Sequence, residues 1–182
     1  MTDLDALLDE RMRSIPDWPI EGVVFRDISP VLADPRGLPV IVAAMRSALS
    51  AQGIAVDAVA GIEARGFVLG ALLAVDLGVG FVPVRKKGKL PYQTLTEEYV
   101  LEYGSAAIEV HSDAIAAGAR VLLIDDLIAT GGTMRAAVKL LKRLGAASVL
   151  PAAIIDLPDL GGSAALAGDG APPYAICSFG GH

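Results

Sequence analysis

One cysteine, Cys177, stands in 182 residues, which excludes an internal disulfide and suits a reducing compartment. There are two histidines, His111 and His182, far apart in sequence, and no Cys/His spacing of a metal site. No apolar run approaches the roughly 18 residues that cross a bilayer. The opening MTDLDALLDERMRS is acidic and amphipathic, unlike a secretory signal, so the chain is expected in the cytoplasm and away from membranes. Cations are outnumbered: the formal net charge of −6 argues against a general nucleic-acid binder. Repeats and linkers are missing too. The length fits one compact domain over residues 1–182, and 53% hydrophobic content can fill its core.

What is present is alternation. Apolar spacing from Leu4 to Ile15 predicts a helix stopped by Pro16. Residues 15–32, rich in Pro and Gly, read as an ordered loop with short extended pieces. A helix follows from about Leu38 to Gly53. Then come a strand (VDAVAGI), a helix closed by Gly78, and a strand (GFVPVR). The polar residues 86–98 are too long for an ordinary connector and read as a functional loop. YVLEYG and AAIEV suggest a hairpin turning at Gly104-Ser105. VLLID is a strand, GTMRAAVKLLKRL a helix and SVLPAAIID a strand; residues 160–173 read as a loop and YAICSF as a last strand. This order implies an α/β fold, a twisted and mostly parallel sheet flanked by helices.

The sharpest chemistry lies in VLLIDDLIATGGT, residues 121–133. In open α/β sheets ligands sit at the carboxyl ends of strands, where Asp125 and Asp126 fall. Ala129, Thr130, Gly131, Gly132 and Thr133 then lead into a helix whose first N–H groups lack partners within it, a ready site for a phosphate. Carboxylates accept sugar hydroxyls, so a ribose 5-phosphate satisfies both halves. Taken alone, Thr-Gly-Gly-Thr is no more than a capped helix start. Paired aspartates also hold metals in receiver-type domains, which do not need the Gly-Gly loop. A nucleotide P-loop would require a Gly-Lys-Ser/Thr that is not there.

The thirteen residues resemble the phosphoribosyl-pyrophosphate signature of the type I phosphoribosyltransferase family. IPDWPIEGVVFRDISPVL, AGIEARGFVLG, VRKKGKLPYQT and YVLEYG occur in the order of its adenine-using branch, so the resemblance runs from Ile15 to Gly145. It implies transfer of a ribose phosphate from phosphoribosyl pyrophosphate to adenine, in a small N-terminal hood (15–32), a mobile flap (86–103) and a homodimer. Mg2+ would be held mainly by the substrate.

By resemblance, the loop at Glu63, Ala64 and Arg65 binds pyrophosphate, often through a cis peptide at Glu63-Ala64. Lys89 would touch it directly, with Arg85 or Lys86 reaching from the partner chain. Glu102 becomes the acid/base group beside the purine. Phe25 would stack on the base opposite Leu127, with main-chain groups of Val24 and Arg26 reading its edge. Tyr103 would close the flap. Outside the resemblance, Glu109 reads as structural, Trp18 as packing under the N-terminal element, His111 as a surface residue and Cys177 as a small buried hydrophobe.

Overall fold

The structure, a computed structural model, describes residues 3–18, 21–100 and 105–180. In chain order its elements are α1 (Asp3–Arg11), β1 (Arg13–Ile15), β2 (Phe25–Asp27), α2 (Ser29–Ala33), α3 (Gly37–Ala51) and β3 (Ala58–Ile62). There follow α4 (Arg65–Leu77), β4 (Gly80–Lys86), β5 (Thr94–Val100), β6 (Ser105–His111) and β7 (Arg120–Ile128). The last are α5 (Gly132–Arg143), β8 (Ser148–Asp156), a 3₁₀ turn (Pro158–Leu160), α6 (Gly162–Gly168) and β9 (Tyr174–Ser178).

Seven strands form one sheet in the order β5-β6-β4-β3-β7-β8-β9. The β4-β3-β7-β8-β9 pairs are parallel, while β6 runs antiparallel to both β4 and β5. The α/β architecture expected from the sequence is therefore the one formed. Parallel strands are covered on both faces, which is why β3 is buried at every residue. Along β7, Val121 and Leu123 join a core with Met134, Ala137 and Leu141 of α5. Their neighbours Leu122 and Ile124 join the opposite core, with α1, α3 and α4. That alternation is the period of two of a strand serving two layers.

Several boundaries differ from the sequence reading. The first helix stops at Arg11, and Arg13–Ile15 becomes an edge strand paired with β2, where Arg13 binds Asp27 at 2.7 Å. Within 15–32 a short helix, α2, replaces loop after Asp27, whose carboxylate accepts the Ser29 N–H at 2.8 Å. The expected functional loop 86–98 is shorter, because β5 begins at Thr94. Period two explains it: Leu95 and Tyr99 pack on the α5 core and Glu97 meets Arg143, all from one face. The expected loop 160–173 holds α6, anchored by fully buried Leu166. Its glycines read as breakers in sequence, yet Gly161, with φ +76°, starts the helix.

Candidate active site

Strand β7 carries Asp125 and Asp126 farther in than expected, since it continues to Ile128 beside β8. Towards β3, however, pairing ends at Gly61 and Ile124. The two carboxylates thus stand past the last residue that β3 pairs with β7, at the carboxyl edge of the sheet. Asp125 lines a cavity of about 120 Å3 with Leu127, Ala129, Thr130, Gly131, Gly132 and Thr133. Asp126 is buried and ion-paired with Arg65 at the start of α4. An oxygen of Asp125 accepts the Asp126 N–H at 2.9 Å. Burial first, and then the charge of Asp126, push the Asp125 carboxyl well above its ordinary range. Burial of Arg65 works against its charge, but the bond to Asp126 and the two aspartate charges outweigh it, and its pKa is raised.

No side chain caps α5; its N-cap is Gly131 in the left-handed region at φ +76°. The helix N-terminus therefore presents its main-chain donors to the cavity. This loop leans on the start of α6. A Cβ on Gly162 would lie 2.2 Å from the Ala129 oxygen and 2.7 Å from the Gly131 nitrogen. Instead, the Gly162 N–H donates to the Ala129 carbonyl at 3.1 Å.

The Glu63–Ala64 peptide is cis, as the resemblance implied. Glu63 accepts from Arg85 at 3.3 and 3.4 Å and from the Lys86 N–H at 3.1 Å. The Arg85 hydrogen bonds lead in holding its carboxyl below the usual range. Arg85 also donates to the Lys89 carbonyl at 3.0 Å, so its guanidinium is engaged within its own chain. Lys86 and Lys89 are exposed.

Strand β2 brings Phe25 and Arg26 to the same edge, after Val24. The Arg65 guanidinium lies 6.0 Å from the Phe25 ring centre, so one arginine meets both Phe25 and Asp126. Trp18 is not packed beneath the N-terminal element; it is 51% exposed, edge-on to Phe25 with ring centres 4.4 Å apart. Glu102 and Tyr103 lie outside the described residues. His111 is no plain surface residue, since its Nε2 is enclosed and its ring meets Tyr92 at 6.1 Å. Cys177 is half-buried, its thiol pushed up to about 12, by burial first and then by Asp5 and Asp9.

Comparison with known proteins bears directly on these loops. The phosphoribosyl transferase domain family matches residues 31–162, which contain the 63–65 turn and the 129–133 loop. The adenine phosphoribosyltransferase of Cupriavidus taiwanensis is 58% identical over 181 residues, covering 99% of this chain and 94% of its own. The chain belongs to the phosphoribosyltransferase family, among its adenine phosphoribosyltransferases. The solved adenine phosphoribosyltransferase of Thermoanaerobacter pseudethanolicus superposes with a TM-score of 0.89 at 43% identity, over 97% of this chain and 99% of that one. The Saccharomyces cerevisiae enzyme, solved with an imino-altritol bisphosphate and adenine, gives 0.87 at 36% identity over 95% and 99%.

Within this phosphoribosyltransferase, three contacts escaped the sequence reading. Tyr99 accepts a hydrogen bond from the Thr133 hydroxyl at 3.1 Å, tying the hairpin to the phosphate loop. Gly162 backs that loop. Phe179 lies 5.7 Å from the Arg26 guanidinium, so the C-terminal segment meets β2. Only Gly161-Gly162 left a trace in the sequence, as a doublet that reads equally well as a plain turn.

Proposed function

We propose that this phosphoribosyltransferase binds the ribose 5-phosphate of phosphoribosyl pyrophosphate at Asp125, Asp126 and residues 129–133, and joins the ribose to adenine, releasing AMP and pyrophosphate. The observation that carries the assignment is the meeting of the Asp125 carboxylate with an uncapped, glycine-led helix start in one small cavity, with Asp126 paired to Arg65 beside it. The amides at 131–133 suit the phosphate and the carboxylates suit the sugar hydroxyls. Because Asp126 is paired with Arg65, ribose binding and the pyrophosphate loop share one charge network.

Pyrophosphate would meet the turn at Glu63, Ala64 and Arg65 and the cation Lys89, while Arg85 orders that turn through Glu63. Since Arg85 is so engaged, exposed Lys86 is the better donor across a homodimer. Among the described residues no group of three or more ligating side chains is placed to hold a metal. Mg2+ would thus be held mainly by the substrate's phosphate oxygens, where it neutralises charge developing on the leaving group.

The adenine N9 attacks C1 as the bond to pyrophosphate breaks, with Glu102 managing the proton on the base and Tyr103 closing the flap. Phe25 and Leu127 flank the purine, and main-chain groups at Val24 and Arg26 pair with its edge. A base with donor and acceptor exchanged would leave buried groups unpaired. Residues 15–32 then act as a hood and 86–103 as a flap of one domain in the cytoplasm.

The test is pyrophosphate release with phosphoribosyl pyrophosphate and magnesium present. Release is expected with adenine, and not with hypoxanthine or guanine. Equal release with all three would make the chain a general purine transferase and overturn the base-loop assignment.

A further inference from the structure

We infer that Glu109 is a positioning residue for the pyrophosphate half of the site, holding the main chain at Lys89 and Leu90 so that the Lys89 side chain and the flap stem face the leaving group. The inference rests on the transferase reading above. Glu109 sits at the centre of the antiparallel strands, opposite Arg85 on β4 and Thr96 on β5, and is 4% exposed. One of its oxygens accepts the N–H groups of both Lys89 and Leu90, each at 2.8 Å. The other oxygen lies 3.5 Å from the Thr94 hydroxyl. Burial pushes this carboxyl up, but the main-chain donors of Leu90, Gly88 and Lys89 together hold it below the usual range. A buried anion is retained here because the turn supplies its donors.

The bonds continue past the turn. The Lys89 carbonyl accepts from Arg85, and Arg85 binds Glu63 beside the cis peptide. Residue 89 is therefore held through both of its peptide groups, in a path running Glu109, Lys89, Arg85, Glu63. A lysine side chain is long and flexible, so fixing its main chain narrows where the ammonium can go. No sequence motif marks Glu109, because its partners are twenty residues away and are main-chain atoms.

Reach and charge can be separated with Glu109→Gln, Glu109→Asp and Glu109→Leu. Gln keeps an acceptor at the same distance, Asp keeps the charge but withdraws it by one carbon, and Leu keeps neither. Two readouts are compared: hydrogen–deuterium exchange at the Lys89 and Leu90 amides, and KM for phosphoribosyl pyrophosphate, pyrophosphate and adenine. Damage is expected to rise from Gln to Asp to Leu. KM for the two pyrophosphate-bearing ligands should rise about three-fold in Gln and on the order of ten-fold in Asp, as lost charge-assisted bonds would give, with KM for adenine little changed.

Faster amide exchange in Asp with every KM unmoved would overturn the positioning role and leave a purely structural carboxylate. So would an Asp variant that behaves as wild type beside a damaged Gln, since charge rather than reach would then be what matters. Should Leu fail to fold, the Gln and Asp pair still decides. A wild-type chain that makes no AMP, with the exchange order intact, would support the clamp and overturn the reaction assigned above.

Discussion

Two pairs of carboxylates border the proposed site, and their charges are met differently. Asp125 and Asp126 are adjacent on one strand; burial first, and then the charge of Asp126, push the Asp125 carboxyl up, while Asp126 is paired with Arg65. Glu63 lies in the turn after β3 and Glu109 on β6, each surrounded by donors, and both are held below the usual carboxylate range. Asp125, unlike its paired neighbour, is costly to the empty fold and suits a ligand with hydroxyls. The second pair serves the scaffold, organising the turn that a pyrophosphate would meet. A carboxylate satisfied by its own chain reads as support; one that its neighbours repel reads as a place kept for a ligand.

The most direct way to break this contrast is to neutralise the first pair. Asp125→Asn with Asp126→Asn should lower kcat/KM by on the order of a thousand-fold or more, since several charged hydrogen bonds to the sugar are lost together. Turnover near wild type would mean that the ribose is held elsewhere. A smaller effect is expected behind the phosphate loop. Gly162→Ala places a methyl 2.2 Å from the Ala129 oxygen, main chain against main chain, so the loop must move. Stability should fall by about 1–3 kcal/mol, as overpacking usually costs. KM for phosphoribosyl pyrophosphate should rise by roughly ten-fold or more, because misplacement of catalytic geometry is expensive. Denaturant unfolding and steady-state kinetics check the two parts separately.

These sites also show what the sequence made legible. The strand and helix that frame the proposed ribose-phosphate half were readable because the segment is contiguous: strand, two acids, glycines and helix follow one another in thirteen residues. The parallel sheet was readable for the same reason, each strand and helix carrying its own period. The proposed pyrophosphate half draws on residues 63, 85, 89 and 109, two of them on the neighbouring strands β4 and β6 and two in the turns that follow β3 and β4, and sheet order is what brings them together. Arg85 appeared in sequence only as an alternative to Lys86 for a contact from the partner chain; its bonds show that it organises Glu63. The helix inside 160–173 was hidden because local propensity favours a loop there, whereas burial of Leu166 decides the matter.

A finer probe sharpens the link between the two halves. In Tyr99→Phe the Thr133 hydroxyl loses its acceptor on the hairpin. One neutral hydrogen bond is worth about 1 kcal/mol, so KM for phosphoribosyl pyrophosphate should rise only a few-fold. A loss confined to kcat, with KM unchanged, would point to hairpin motion rather than to the phosphate loop.

The smallest effect runs in the opposite direction, towards stability. Because the Asp125 carboxyl is raised in the folded chain, the fold binds more protons there than the unfolded chain does. Stability from this group is therefore greatest below the unfolded value of 3.8 and declines as pH rises through the raised folded value. At neutral pH Asp125 weakens the fold. Asp125→Asn keeps an oxygen for the Asp126 N–H while removing the charge, so Tm at pH 7 should increase, by roughly 2–4 °C for each kcal/mol regained. The gain should shrink as the pH is lowered. Glu63→Gln should do the reverse, lowering Tm at pH 7, because its depressed carboxyl contributes stability above the ordinary value of 4.5 that is lost as pH falls. Thermal unfolding of both variants across pH 4–8 provides the check, and a common direction of shift would remove the distinction between a carboxylate kept for ligand and one kept for scaffold.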